Sequence, residues 1–205
     1  MAISYPLTMP TTPKPDSIQY RYSTVNGMTI SPFSLTEHTY DWNAAKLTAQ
    51  VNLPKMTRAN ARAWIAFLMS LDGRVGTFYL TNFDYATPEG TPLGTPVIAS
   101  ISADGKTINS SGWDDGETGL LKAGDWIQLS SGQMVAVVED ADSDGAGVGL
   151  SSFEVRPPIR DITLTTGITT ANTKGIFRLS NSEVSWTVDN LYHHGITLDC
   201  TEAIR

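Results

Sequence analysis

An acidic segment in the middle of the chain holds the residues whose spacing comes closest to a metal site. Asp140, Asp142 and Asp144 occupy alternate positions, and Gly145 follows them. This is the first half of an EF-hand calcium loop, with carboxylates at positions 1, 3 and 5 and glycine at the sharp turn. Position 12 should be a bidentate glutamate, but here it is Ser151. The sequence therefore favours a solvated turn over a calcium site.

Two further groups were weighed as chemical sites. Asp114, Asp115 and Glu117 form a second acidic turn, but paired carboxylates do acid–base work only where burial separates their pKa values. His193 and His194 are adjacent, so on a strand they point to opposite faces and do not readily share a metal. The chain has no GxSxG, P-loop or GxGxxG motif. We expect no catalytic, cofactor-binding or metal-binding residues, and no enzyme activity.

Composition indicates a globular protein without covalent cross-links. Hydrophobic residues make up 40% of the 205 residues, and no apolar run approaches the length that spans a bilayer. Cys200 is the only cysteine, so we expect a small residue in a C-terminal strand without an internal disulfide. The net charge is −7, and residues 88–161 contribute four Lys/Arg against twelve Asp/Glu. Such acidity is not typical of a protein that grips phosphates.

One segment has the pattern of an amphipathic helix, over about residues 57–71. Thr57 is placed to cap its first turn, and Gly73 is placed to take the left-handed conformation that ends it. Its apolar stripe is Ala61, Trp64, Ile65, Leu68 and Leu71. Because this helix has no second helix to pack on, we expect Trp64, Ile65, Leu68 and Leu71 to hold it against a β-sandwich.

The rest of the chain has strand and turn patterns. Asn26-Gly27 predicts a hairpin turn between strands at 17–23 and 28–35, and residues 46–53 alternate between polar and apolar. Five short strands predict a small barrel or compact sandwich, and Pro157 and Pro158 mark its end. The predicted short strands are 97–101, 107–109, 126–129, 134–138 and 148–155, and strands at 77–83, 175–179, 183–188 and 195–202 flank this acidic part. We therefore expect an outer β domain, 1–87 plus 162–205, and an inserted acidic domain, 88–161.

Three stretches resemble the distal tail proteins of long-tailed bacteriophages. They are Arg62–Leu68 with Leu71–Gly73 and Thr77–Leu80, then Gly119–Leu129 with its continuation to Arg160, and Ile196–Asp199. The resemblance implies a tail-tube-like β-sandwich with one flanking helix and an inserted, OB-like β-barrel. It also implies a structural virion protein at the tail tip, made in the host cytoplasm and assembled as a hexameric ring.

The same resemblance implies the partners. They are other copies of the chain, the tail tube protein and the hub of the tail tip, with DNA passing through the ring without specific binding. We expect the Pro-rich N-terminal segment, with Tyr5, Pro6, Pro10 and Pro13, to form an arm that reaches a neighbour. Two alternatives stay open: another minor tail or tube protein, and a module that binds host-surface carbohydrate through Trp113 or Trp126.

Overall fold

Strands dominate the structure, and the described residues contain one helix. A computed structural model describes residues 3–83, 85–160 and 164–203. The chain divides into two compact units. The first unit is Met1–Arg21, Leu47–Asn82 and Lys174–Arg205, and the second unit is Tyr22–Lys46 and Phe83–Thr173. The chain therefore leaves the first unit twice and returns to it twice.

The described residues form one helix and thirteen strands, most of them short. In chain order they are β1 (Leu7–Thr8), β2 (Ser17–Ile30), β3 (Glu37–Asn52), α1 (Arg58–Ser70), β4 (Phe78–Thr81), β5 (Gly94–Ile101), β6 (Thr107–Trp113), β7 (Trp126–Gln128), β8 (Met134–Val137), β9 (Ser151–Arg156), β10 (Lys174–Leu179), β11 (Thr187–Val188), β12 (His194–Gly195) and β13 (Thr197–Glu202).

The first unit is built on a six-stranded sheet with the order β1-β4-β10-β13-β3-β2. The predicted alternation over 46–53 is confirmed, because the side chains of Leu47, Ala49 and Val51 are buried and those between them are more exposed. The sheet is strongly curled. The hydroxyl of Tyr20 on β2 donates to the carbonyl of Thr81 on β4, 3.4 Å away, although three strands separate β2 from β4.

Helix α1 covers the apolar face of this sheet. Trp64, Leu68 and Leu71 are buried, whereas Ile65 is half-buried. Phe67, which lies outside the predicted stripe, is also buried, and its ring meets that of Phe78 on β4 edge to face at 5.6 Å. Among the described residues of this unit, α1 is therefore the layer that covers the six-stranded sheet. The two-stranded sheet β11-β12 is separate from it.

The helix ends differ from the predicted capping pattern. Thr57 has the extended backbone of an N-cap, but its hydroxyl caps no backbone N–H among the described residues, so this prediction is wrong. Gly73 has a φ of +63°, as predicted. At the last turn, the hydroxyl of Tyr5 donates to the carbonyl of Ser70 at 2.7 Å. This bond satisfies a carbonyl that the helix itself leaves unpaired.

The first residues of the predicted N-terminal arm pack against the first unit of the same chain. Strand β1 pairs in parallel with β4, and the Tyr5 ring lies so close to Gly76 that an added Cβ there would be 2.6 Å from it. Pro6, Pro10 and Pro13 are half-buried. An arm that reaches a neighbouring molecule stays a prediction for the residues beyond β1.

The predicted turn at Asn26-Gly27 is wrong, since β2 runs unbroken through both residues. The turn lies instead at 31–36, where the N–H of Ser31 donates to the carbonyl of Thr36 at 3.0 Å. The strand predicted at 183–188 is also wrong for most of its length, because only Thr187–Val188 is strand. Cys200 lies on β13, a C-terminal strand as predicted, and it is buried, which raises the pKa of its thiol to about 12.

The second unit is built on a five-stranded antiparallel sheet with the order β5-β6-β9-β8-β7. Residues 165–169 pair with both of its end strands: Thr165 N–H donates to Ile98 on β5 at 2.8 Å, and Thr169 exchanges two bonds with Gln128 on β7, at 2.8 and 2.9 Å. The predicted boundary at 161 and 162 lies outside the described residues, and this pairing segment follows it in the chain.

The pairing of 165–169 predicts how fragments of the second unit behave. A fragment of residues 88–161 lacks the segment that joins β5 to β7, whereas a fragment of 86–173 retains it. We expect only the longer fragment to unfold cooperatively when heated and monitored by near-ultraviolet circular dichroism. Equal cooperativity in both fragments would show that the sheet does not need this segment.

The contact between Phe67 and Phe78 predicts a large loss of stability when it is removed. Phe67→Ala should lower the free energy of unfolding by about 3–5 kcal/mol, because it leaves a cavity between helix and sheet. The matched control is Met69→Ala on the same helix, where the side chain is 62% exposed and the expected change is about 0.5 kcal/mol or less. Urea unfolding of both variants measures the difference.

Candidate functional site

The most unusual surface of the protein is apolar and lies on the β2–β3 hairpin. Eight large apolar side chains of the hairpin are at least 46% exposed, and Phe33 at its turn is 98% exposed. We call this set the hairpin patch: Tyr22, Val25, Met28, Ile30, Phe33, Leu35, Tyr40 and Trp42. Scattered exposed apolar residues are normal, but this many on one hairpin are typical of an interaction surface.

Local hydrogen bonds give the hairpin turn a defined shape. Leu35 N–H donates to the carbonyl of Ser31 at 2.9 Å, and Leu35 takes a left-handed φ of 56°. The hydroxyls of Ser34 and Thr36 are 2.8 Å apart. A branched apolar residue is costly at positive φ, so the turn holds Leu35 in a strained conformation with its side chain exposed.

Gly27 has a role in packing and not in a turn. A Cβ on Gly27 would come within 2.6 Å of the Trp42 ring on the paired strand. Glycine leaves room for the indole to lie across the strand, which is a common use of glycine inside a strand. Gly27 therefore lies inside β2 as a packing position for Trp42.

Polar contacts within the second unit fix the outer half of β3 to the turn between β5 and β6. Asp41 pairs with the Lys106 ammonium at 2.9 Å, and the Asn43 side-chain amide donates to the carbonyl of Asp104. Asn43 has a φ of 52°, and its N–H donates to the Asp41 carboxylate at 2.8 Å. These four residues form what we call the hairpin latch.

Hydrogen bonds to the latch carboxylates favour their charged form. The Lys106 ammonium and then the Asn43 N–H lower the pKa of Asp41, and the Ser102 hydroxyl and then the Lys106 N–H lower the pKa of Asp104. A carboxylate with a lowered pKa stabilises the fold above its unfolded pKa and stops doing so as the pH falls through its folded value. The hairpin latch therefore stabilises the fold at neutral pH and loses this effect in acid.

Asp140, Asp142 and Asp144 are exposed between β8 and β9, where a solvated turn was predicted, and they accept hydrogen bonds from backbone N–H groups. The N–H groups of Ala123, Gly119 and Leu150 donate to Asp140, Asp142 and Asp144 at 2.9, 2.6 and 2.8 Å, in that order. Asp140 also pairs with Lys122 at 2.8 Å. The described residues hold no group of three or more His, Cys, Asp and Glu side chains that could share a metal ion.

The other residues considered for chemistry are not brought together. Asp114, Asp115 and Glu117 are exposed, and an Asp115 carboxylate oxygen accepts from Gly147 N–H at 2.9 Å. His193 is held by Asp189, which accepts its N–H at 2.8 Å, and His194 lies on β12.

Trp113 is part of the core of the second unit. It is 4% exposed, and its indole N–H donates to Ser110 at 2.7 Å. The interpretation of Trp113 as a sugar-binding side chain is therefore wrong, since a sugar cannot reach it. Trp126 is half-buried, and its ring centre lies 6.5 Å from that of Tyr85.

Asp125 is a structurally important residue that sequence reasoning missed. It is 2% exposed, and its carboxylate accepts N–H bonds from Glu89, Gly90 and Lys122 at 2.7, 3.0 and 2.8 Å. A buried carboxylate is stable only with such partners. Asp125 thus fixes the segment through which the chain enters the second unit at 83, and the Gly124-Asp125 pair at a turn was its only signal in the sequence.

Charge divides unevenly between the two units. The first unit has nine Lys/Arg and six Asp/Glu, whereas the second has five and fifteen. None of the helical segments in the described part is long and apolar enough to cross a membrane. A scan against protein-family models gives no matching family, and a search of curated proteins gives no significant match.

The latch predicts a local effect of removing the Lys106 charge. Lys106→Met should raise hydrogen–deuterium exchange of the amides in 37–43 by about threefold at pH 7, since an exposed ion pair is a weak tether. Lys122→Met, which removes a similar pair with Asp140, should leave the amide exchange of residues 37–43 unchanged.

Because the pKa of Asp41 is lowered, the difference between Lys106→Met and the wild type should persist at pH 5 and shrink below about pH 3.9. Equal exchange in all three proteins at pH 7 would contradict a latch.

Proposed function

We propose that the protein is a structural, ring-forming component of the tail of a long-tailed bacteriophage, of the distal tail type. The ring joins the tail tube to the hub of the tail tip and surrounds the channel through which DNA passes. The observation that carries this proposal is the hairpin patch, a large apolar surface on a long hairpin. The three sequence stretches that resemble distal tail proteins supply the biological setting.

A second copy of this chain is the proposed occupant of the hairpin patch. Strand β2 stands at one end of the six-stranded sheet, and the short β1 stands at the other. When the two end strands of a sheet differ, copies of the molecule can associate head to tail, with one end strand of each copy beside the other end strand of the next. If the rotation between copies closes into a ring, no sheet edge stays exposed. An obligate interface of this kind buries on the order of 2,000 Å² or more, and eight large side chains on one hairpin supply a major part of such an area.

The two units divide the work in this proposal. The mainly β first unit, with its one helix and together with the β2–β3 hairpin, serves as the tail-tube-like ring domain, and the acidic segment 88–161 serves as the OB-like insert, which faces outward. Acidic or neutral side chains of the first unit line the channel, so that DNA phosphates find no cluster of Lys and Arg to bind. A map of the assembled tail with an arginine ring in the channel would contradict this last part.

Two readings remain as the runners-up. Another minor tail or tube protein would share the ring chemistry, and the insertion of a whole acidic unit favours the distal type over a stacked tube subunit. A host-surface carbohydrate module would rest on the half-buried Trp126, because Trp113 is buried.

The size of the particle in solution tests the proposal. Light scattering and negative-stain imaging of the wild-type chain should show a ring of about six protomers. Phe33→Ser combined with Leu35→Asn should reduce it to monomers, and asparagine tolerates the positive φ of that position. The matched control is Leu191→Ser with Tyr192→Asn, since both residues are 75% exposed in the first unit and Tyr192 also has a positive φ.

The control separates a specific interface from general loss of apolar surface. Rings that persist in the control but not in the hairpin variant support the proposal. Rings that survive in both variants would contradict the role of the hairpin patch, and a wild-type chain that stays monomeric at high concentration would contradict self-assembly without tail partners.

A further inference from the structure

The outward face of helix α1 lacks the polar side chains that a solvent-exposed helix face normally carries. Residues 63–69 are all apolar, so neither face of these two turns has a polar side chain. The exposed residues of the helix form what we call the helix face: Arg58, Ala59, Arg62, Ala63, Ala66 and Met69. Met69 is the largest apolar side chain among them and is 62% exposed. Because a helix that is apolar all round is normally covered on both sides, this face indicates a partner.

The charges of α1 also fit an external partner. Arg58 and Arg62 lie in its first two turns, and its first turn has no acidic residue. Cations near a helix N-terminus are unfavourable, because they repel the positive end of the helix dipole. Neither arginine forms an ion pair within residues 3–83, 85–160 and 164–203. A carboxylate from another molecule would therefore relieve a repulsion that the described chain leaves in place.

The outer part of the β2–β3 hairpin has the complementary charge. Between Tyr22 and Ala45 the chain contains Glu37 and Asp41, but no lysine or arginine. Asp41 is already paired with Lys106 in the hairpin latch. Glu37 is exposed beside the hairpin turn and has no ion-pair partner in the described part of the chain. The hairpin patch is thus an apolar surface beside an unpaired carboxylate, whereas the helix face is an apolar surface with two unpaired guanidinium groups.

These charges select which surfaces meet. A contact between two hairpin patches would join two acidic surfaces, and a contact between two helix faces would join two basic ones. Like charges across an interface are unfavourable, whereas unlike charges fix its register. A contact of one hairpin patch with one helix face joins unlike charges. Such a contact uses two different surfaces of the chain, as a cyclic ring of more than two copies requires.

The helix face lies near the sheet edge that the proposed ring uses. The hydroxyl of Tyr5, two residues before β1, donates to the carbonyl of Ser70 in the last turn of α1, 2.7 Å away. Strand β1 and the end of α1 are therefore adjacent within the first unit. A neighbour whose β2 lies beside β1 brings the hairpin that continues from β2 close to α1.

We propose that the hairpin patch of one copy docks on the helix face of the next copy, with Glu37 paired to Arg58 or Arg62. The inference rests on the proposed ring function and names the second surface of that interface. The small side chains of the helix face let large hairpin side chains such as Phe33 approach the helix closely.

Charge reversal in the full-length chain tests this pairing, with light scattering at a fixed concentration as the measurement. Glu37→Arg should reduce the fraction of the chain in rings by about tenfold, because like charges then meet. Arg58→Glu combined with Arg62→Glu should do the same, and the protein that carries all three changes should recover rings. The matched control is Glu183→Arg, an exposed residue of the first unit outside both surfaces, which should assemble as the wild type does.

Cross-linking detects the same contact without a closed ring. The chain with Glu37→Cys and Arg62→Cys is treated with a short bis-maleimide, which is quenched before denaturation. The native Cys200 stays unmodified, because it is 1% exposed. Denaturing electrophoresis should show a ladder of dimers, trimers and larger species, whereas each single cysteine variant should stay monomeric.

The outcomes separate this inference from the proposed function. Loss of rings in both charge variants with recovery in the combined protein supports the inference, and so does a ladder that needs both cysteines. Rings that survive Arg58→Glu with Arg62→Glu, but not the hairpin variant of Phe33 and Leu35, would overturn the inference and leave the ring function standing.

Two further outcomes concern a wild type that forms no rings. A ladder without rings would support the pairing of the two surfaces and contradict self-assembly into a closed ring. The absence of both rings and ladder would overturn the inference together with self-assembly. In either case, dimers from Glu37→Cys alone would show that hairpin meets hairpin and would overturn the inference.

Discussion

The first unit depends on covering one apolar face of a curled sheet with a single helix. Strands β3, β4, β10 and β13 all bury side chains on that face, and α1 meets them through aromatic contacts such as Phe67 with Phe78. Burial of apolar surface stabilises the fold by about 25 cal/mol per Å². Since the rest of the described unit consists of strands, loops and a small hairpin, no other element takes the place of this helix.

In the second unit, carboxylates hold the loops that surround an apolar core. Asp125, Asp140, Asp142 and Asp144 each accept backbone N–H groups from loops that lack a regular ladder. Each such bond gives a loop N–H group the acceptor that it lacks outside a helix or sheet. The strong acidity of the unit therefore follows from how its turns are built, and needs neither catalysis nor a metal to explain it.

The sequence predicts features governed by local periodicity and misses those that depend on distant neighbours. The helix and the alternation along β3 follow from spacing alone, so both were found. The turn at Asn26-Gly27 was wrong because a distant ring, that of Trp42, needs the space that Gly27 leaves. Burial of Trp113 and the bonds from Glu89 and Gly90 to Asp125 also depend on residues far along the chain, and local periodicity does not predict them.

The order of strands in the first unit has a consequence for synthesis. Strands β3 and β4 are not neighbours, because β10 and β13, the last long strands of the chain, lie between them. The apolar faces of β3, α1 and β4 therefore stay without their partners while the ribosome produces the whole of Phe83–Thr173. Pairings between residues so distant in sequence form slowly and leave sticky surface exposed meanwhile. The six-stranded sheet of the first unit is therefore completed only after the last long strands, β10 and β13, have been synthesised.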